Sequence, residues 1–381
     1  RRLPHAGPGA RPMSEIACDL VLLSWNHLEV TKPCLETLFR HTDAPCRLFI
    51  VDNASDPETR AFLATVRPQG LICEVALLQN QTNEGFPSGM NRGLRAATAP
   101  AVCLLNNDLR FTAGWLSRLL EVAAAHPDIG LLNPGSNTLD SRPAPGQSID
   151  TYAAQLAAKR GRYVEVGMCI GFCLLITRPA LERVGLLTEA VDRFFFEDED
   201  YSVRAQRAGF RCVVVDAAYV EHREHTSVRD LPERERMFQA SRRWCEQQWG
   251  PARRIAVPQF TPLAAGCPDT RRRLIRWVEL ARLRTRVYIY APIPAGLSDD
   301  ALYDSVGVVP HRDVLLNRIP AVGTALAATW RILRRRKKPF DAIVAPDAGW
   351  GRLMRRLAWA HGAPIVHTED PATLAQAWTP R

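Results

Sequence analysis

Ala101-Val-Cys-Leu-Leu-Asn-Asn-Asp108 is the stretch on which the reading of this chain turns. Its apolar run, Val102 to Leu105, ends abruptly in three polar residues. A short continuous apolar run bounded by turn formers marks a strand buried on both faces. In an open parallel sheet, ligands sit just beyond the carboxyl ends of the strands. Asn106, Asn107 and Asp108 are therefore expected at the lip of a crevice. One carboxylate and two amides can hold a divalent metal together with hydroxyl or phosphate oxygens, because hard cations take oxygen ligands. The competing reading is an ordinary strand-to-turn junction, where Asn and Asp are common.

The residues on either side repeat the pattern. Asp19-Leu-Val-Leu-Leu-Ser24 reads as a first buried strand, followed by Trp25-Asn26-His27. A helix over residues 28–40 follows, with Pro33 expected in its first turn. Leu48-Phe-Ile-Val51 is the second strand and ends in Asp52-Asn-Ala-Ser55. Asp56 and Pro57 then open a helix. Further strands are expected at residues 75–78 and 129–132, with a helix from Thr112 to Pro127 between them. Residues 133–147 read as a long loop. Alternating strands and helices with polar strand ends predict a doubly wound α/β sheet.

Beyond the loop, strands are expected at residues 163–166, 172–176, 212–215 and 219–222. Three aromatics run into four acids in Arg193-Phe-Phe-Phe-Glu-Asp-Glu-Asp-Tyr201, which leads into a helix ending at Gly209. A charged helix occupies residues 231–249. A second, smaller Rossmann-like α/β unit has strands expected at residues 287–290, 306–309, 342–345 and 364–367. It looks incomplete. The predicted organisation is a disordered leader (1–14), a first domain (15–250), a Pro- and Ala-rich linker (251–270) and the smaller unit (271–381).

With 381 residues, two domains are expected. The 46% hydrophobic content suffices for packed cores, and 23% charged residues argue against disorder. No apolar run approaches the roughly 20 residues of a membrane span. The ten cysteines are scattered without a CxxC pair, which reads as free thiols in a reducing compartment and excludes a cysteine zinc site. A cytoplasmic location is expected, at the inner face of the membrane. The net charge of +9 suits an anionic partner such as a nucleotide, a phosphorylated lipid or a membrane surface. Nucleic acid is disfavoured, since no basic stretch is interleaved with aromatics. The basic run at residues 334–338, Arg-Arg-Arg-Lys-Lys, is either a solvated helix end or a contact to anionic lipid.

Five ordered stretches resemble the family 2 glycosyltransferases of the GT-A fold, and within them the rhamnosyltransferase and galactofuranosyltransferase branch. They are Ser24-Trp-Asn26, Val51-Asp-Asn-Ala-Ser55, Asn83-Glu-Gly-Phe-Pro-Ser-Gly-Met-Asn-Arg-Gly93, Leu104-Leu-Asn-Asn-Asp108 and Phe196-Glu-Asp-Glu-Asp-Tyr201. The resemblance covers residues 19–227. It implies a mostly parallel mixed sheet flanked by helices that binds a nucleotide sugar. The implied activity is inverting, metal-dependent transfer of a sugar from that donor to a saccharide or lipid-linked acceptor, in surface polysaccharide synthesis. The smaller unit resembles, loosely, the start of a GT-B domain.

The resemblance also assigns roles. Ser24, Asn26, Asp52, Asn53, Asn83, Gly85, Phe86, Asn91, Asn106 and Asn107 are implied donor-binding residues, with Asp52 reaching the nucleobase. An Asx turn with Asn53 and Ser55 is the rival role for Asp52. The turn from Asn83 to Gly93 offers backbone amides and a helix start to a pyrophosphate. Pro87 departs there from the small residue usual in the family. Asp108 is the last acid of the DXD metal motif, which here reads Asn-Asn-Asp and keeps one carboxylate. His222 is the implied second ligand to Mg²⁺ or Mn²⁺, with His225 competing and a surface histidine as the alternative. Asp198 is the implied general base and Glu197 the runner-up. Crowding of acids behind three aromatics is expected to raise one carboxyl pKa. Helix-dipole compensation alone accounts for Glu199 and Asp200. Two other classes compete: a nucleotidyltransferase, whose glycine-rich basic loop after the first strand is missing here, and a catalytically silent nucleotide- or carbohydrate-binding module.

Overall fold

The computed structural model describes residues 15–190, 194–223, 232–334, 338–368, 370 and 373–374. Its first sheet begins with β1 (Cys18–Ser24), β2 (Cys46–Asp52), β3 (Ile72–Gln79) and β4 (Ala101–Asn106), which run parallel. Leu20, Leu22, Leu48, Ile50 and Val102 to Leu105 are buried, as continuous apolar strands require. The sheet then becomes mixed. β5 (Leu109–Phe111), β6 (Ile129–Gly135), β7 (Tyr163–Glu165), β8 (Cys173–Thr177) and β9 (Arg211–His222) complete it. The strand order is β3-β2-β1-β4-β8-β6-β9-β5, with β7 on β9. β8 is antiparallel to β4, and β5 is antiparallel to β9 with Leu109 opposite His222.

Helices α1 (Leu28–His41), α2 (Pro57–Leu63), α3 (Phe86–Ala96), α4 (Trp115–Ala125), α5 (Ile149–Leu156), α6 (Arg178–Val184), α7 (Glu197–Arg207) and α8 (Arg234–Trp249) connect these strands. Pro33 lies inside α1, beyond its first turn, so that helix forgoes one backbone hydrogen bond. The buried Asp19 is structural. It accepts from Arg47 Nε and Nη2 (2.8 and 2.9 Å) and from the backbone N–H groups of Thr98 and Ala99 (2.6 and 2.7 Å). This network locks the start of β1 to the turn ahead of β4.

Other local expectations change as well. The strands expected at residues 212–215 and 219–222 are one strand, β9, because Asp216 and Ala217 continue the extended backbone. β6 runs on to Gly135, into the stretch read as loop. The interval read as a linker, residues 251–270, contains β10 (Arg253–Pro258), which pairs on both sides. Its two leading arginines and terminal proline disguise an apolar centre of only three residues.

The chain divides into two units, one of Arg1–Arg162, Ile170–Glu197 and Val215–Phe238, the other of Tyr163–Cys169, Asp198–Val214 and Gln239–Arg381. The second unit holds a parallel sheet in which β10 is joined by β11 (Thr285–Ala291), β12 (Val314–Arg318), β13 (Ala342–Val344) and β14 (Ile365–Val366). The order is β12-β11-β10-β13-β14. α9 (Pro268–Ala281) and α10 (Asp299–Val306) supply Leu274, Trp277, Val278 and Leu302 to one core. α11 (Thr324–Leu333), α12 (Ala348–Arg356) and α13 (Ala358–His361) follow, and Ala328, Ile332, Trp350 and Met354 belong to the other core. The strand expected at residues 306–309 is instead the end of α10 and a turn closed by Gly307 in the left-handed region.

Candidate active site

The loops after β1 and β2 are tied together. Asn26 and His27 both take φ of 55°, a left-handed pair that non-glycine residues seldom adopt. The Asn26 N–H donates to Ser55 Oγ (3.0 Å), and Asn26 Oδ1 accepts from the Asp56 N–H (2.8 Å). Ser24 is buried at the end of β1. Asp52 is buried at the end of β2, and its Oδ1 accepts from the Ser55 N–H at 2.9 Å. Its Oδ2 lies 3.4 Å from Arg60 Nε. Asp52 is therefore engaged by its own following turn, though through the residue three positions on rather than the two of an Asx turn.

Asn53 spends its whole hydrogen-bonding capacity inside the protein. Its Nδ2 donates to Asn83 Oδ1 (2.8 Å) and to the Gly85 carbonyl (3.1 Å). Its Oδ1 accepts from Asn80 Nδ2 (2.9 Å) and the Glu84 N–H (3.1 Å). With both donors and both lone pairs used, Asn53 braces the loop ahead of α3. Gly85 caps that helix at φ of 83°, and Phe86 and Pro87 fall in its first turn, where a proline costs no hydrogen bond. Gly93 lets α3 lie on β1, since a Cβ there would stand 2.2 Å from Val21 Cγ1. Asn91 is also a brace. It donates to the Leu187 carbonyl (2.9 Å) and Glu189 Oε1 (2.7 Å) and accepts from the Leu187 N–H (2.9 Å). That amide is the main reason the Glu189 carboxyl is held below its usual range. A cleft of about 380 Å³ opens beside α3, lined by Asn80, Glu84, Ser88, Arg92, Arg95 and Glu189. Its two arginines were not singled out from the sequence. Arg92 belongs to the Asn83-to-Gly93 stretch without a role of its own there, Arg95 lies just past it, and only the fold of α3 brings the two to one rim.

Beyond the carboxyl end of β4, Asp108 and His222 meet. Asp108 Oδ1 lies 3.3 Å from His222 Nε2, and both residues are buried. Asn106 Nδ2 stands 3.4 Å from the same nitrogen. Asn107 turns away and donates to Thr31 Oγ1 (2.9 Å), so it fixes the turn against α1. His222 is held on every side. Its ring stacks on Phe172 at 5.1 Å, its Nδ1 is 3.0 Å from Thr138 Oγ1, and its backbone exchanges two hydrogen bonds with the Asn137 side chain (2.8 and 2.7 Å).

The donor set fits a divalent cation. Two ligand atoms about 2.0–2.2 Å from one ion at ordinary coordination angles stand about 3.0–3.4 Å apart. A hydrogen-bonded Nδ1 is the usual way to aim a ligating Nε2. Among the described residues, no group of three or more His, Cys, Asp or Glu side chains could hold a metal, so an ion on Asp108 and His222 would need further ligands of other kinds.

The acidic motif opens α7. Phe195 and Phe196 precede it at φ of 76° and 67°. A bulky residue in the left-handed region is strained, and two in succession need support. Phe238 supplies it, with ring centroids 5.4 and 5.3 Å away. This strain has no signature in composition or spacing. Glu197 is buried, and Asp198 Oδ1 accepts from the Glu199 N–H at 2.8 Å. The other two acids are committed elsewhere. Glu199 pairs with Arg284, and Asp200 accepts from Arg204 Nε (2.8 Å) and Trp249 Nε1 (3.0 Å). His225 and the leader lie outside the described residues.

The model of the glycosyl transferase family 2 matches residues 19–185. The N-acetylglucosaminyl-diphospho-decaprenol L-rhamnosyltransferase of Mycobacterium tuberculosis is 28% identical, over 51% of this chain and 73% of its own length. The pre-mycofactocin glycosyltransferase of the same organism is also 28% identical, over 45% of this chain and 37% of its own. Staphylococcus aureus TarS residues 1–349, solved in complex with UDP-GlcNAc, is 15% identical with a TM-score of 0.43, covering 55% of this chain and 60% of that one. Residues 19–185 are a glycosyl transferase family 2 domain.

Proposed function

We propose that the chain moves a sugar, with inversion, from a nucleoside-diphosphate donor to a saccharide or lipid-linked saccharide acceptor, in surface polysaccharide synthesis. The observation that carries this reading is the 3.3 Å approach of Asp108 Oδ1 to His222 Nε2 beyond the carboxyl end of β4. Asp108 and His222 would hold a Mg²⁺ or Mn²⁺ ion there, and that ion would supply charge neutralisation for the departing diphosphate. Asp198 takes the proton of the acceptor hydroxyl, with Glu197 as the second candidate. The acceptor oxygen bonds to the anomeric carbon from the face opposite the phosphate oxygen, whose bond to that carbon breaks. The name of the mycobacterial relative supports a deoxyhexose donor and a diphospho-lipid acceptor.

A panel of UDP-, GDP- and dTDP-sugars tests the reading. The cognate donor, with Mn²⁺, should raise the melting temperature, because it binds only the folded state. Acceptor addition should then release the nucleoside diphosphate. Release of inorganic pyrophosphate from a nucleoside triphosphate and a sugar phosphate, with no diphosphate released from any donor of the panel, would instead indicate a nucleotidyltransferase. Donor binding without turnover on any acceptor would indicate a silent module.

A further inference from the structure

We propose that the outer face of α11, α12 and α13 in the second unit is a docking surface for an anionic lipid bilayer. α11 is apolar on both sides. Ala328 and Ile332 face the core, while Val322 just ahead of the helix, Leu326 and Trp330 face outward at 91%, 75% and 54% exposure. Leu326 and Trp330 stand four positions apart on α11 and so share one face, with Val322 exposed in the turn ahead of it. Leu353 on α12 (42% exposed) and Trp359 on α13 (85%) extend the apolar area. The three helices are neighbours: α13 packs against α11 and α12, and Trp350 Nε1 donates to Thr329 Oγ1 at 3.0 Å. A helix that is hydrophobic all round ordinarily has something against each side.

Charge selects the occupant. α11, α12 and α13 contain no Asp or Glu, whereas α9 and α10 carry Asp269, Glu279, Asp299, Asp300 and Asp304. Arg331 and Arg334 beside Trp330, and Arg352 and Arg356 on α12, are exposed. The guanidinium carbons of Arg334 and Arg331 lie 4.9 and 5.8 Å from the Trp330 ring centre. The run at residues 334–338 adds cations in the sequence immediately after α11. Tryptophan and leucine set in a ring of arginines is the composition that seats a helix in the interface of an anionic membrane, the apolar side chains among the acyl chains and the cations on the headgroups. A symmetric contact with a second copy would place each cation patch against its twin. Nucleic acid would leave Val322 and Leu326 without a partner. No helix among the described residues is long and apolar enough to cross a membrane, so the contact lies on the surface.

Co-sedimentation of the full chain with vesicles tests this, and it reads no activity. The chain should pellet with phosphatidylcholine vesicles containing phosphatidylglycerol, far less with phosphatidylcholine alone, and less as salt rises. Leu326→Ser with Trp330→Ser should lower the bound fraction at least tenfold. Trp359→Ser, on a different helix, should lower it independently. Arg352→Gln with Arg356→Gln should erode the preference for anionic vesicles. Leu71→Ser, an exposed leucine of the first unit, should change nothing. Equal binding by wild type and the apolar-face variants, or no vesicle binding at all, overturns the proposal. So does a dimer in sedimentation velocity, or RNA binding, that the same variants abolish.

Discussion

The Nε2 atom of His222, the last residue of β9, lies 3.3 Å from Oδ1 of Asp108, in the turn that follows β4. Two buried donor atoms from distant parts of the sequence are thus brought side by side. The surroundings leave His222 little freedom, with Phe172 against its ring and Thr138 at its other nitrogen. His222→Ala should therefore weaken Mn²⁺ activation by at least the roughly 10–100-fold that loss of a ligand's outer partner costs. The check is a Mn²⁺ titration of turnover, with circular dichroism to show that the variant is folded.

Asp198→Asn should abolish transfer while leaving donor affinity within a few-fold, because the amide keeps the shape and cannot take a proton. Glu197→Gln should retain turnover. Single-turnover kinetics on both variants decides between them. A dead Glu197→Gln beside an active Asp198→Asn would move the base by one residue.

Gly93→Ala should destabilise the first unit by about 1–3 kcal/mol through overpacking. The added methyl meets Val21, a core residue of β1 with nowhere to retreat. Urea denaturation is the measurement. Val21→Ala in the same chain should recover part of the loss.

His311 provides a pH dependence of stability in the second unit. Burial pushes its pKa down from the ordinary value to about 4. A lowered folded-state pKa means that the unfolded chain binds the proton more readily. Stability is then complete above the unfolded value near 6.5 and is lost as pH falls toward about 4. The loss is about 3 kcal/mol. His311→Asn keeps an acceptor for the Asp313 N–H, which His311 Nδ1 now serves at 3.1 Å. This variant should flatten the acid limb of a urea-midpoint profile.

Much of the first sheet was legible because β1, β2 and β4 are continuous apolar runs that end in polar residues and are too short for a buried helix. β10 was not legible. Its apolar centre is three residues long, and only the strands beside it make it a strand. Likewise Asp216 and Ala217 break the apolar pattern of β9 without breaking the strand. In the site, Asp108 and His222 were readable as chemistry-bearing types at strand ends. Asn53 and Asn91 were readable as polar residues of a motif, but their role as braces depends on loops brought in from Asn80 and Leu187. The left-handed backbone at Phe195 and Phe196 is a tertiary property, held by Phe238 from a later helix.

The most direct test of the Asp108–His222 site is calorimetry of nucleoside diphosphate binding, with and without Mn²⁺, to wild type and Asp108→Ala. Wild type should bind at least tenfold more tightly with the ion, and Asp108→Ala should lose that difference while keeping its metal-free affinity. An equal metal dependence in the two proteins would contradict the account and remove Asp108 from the site.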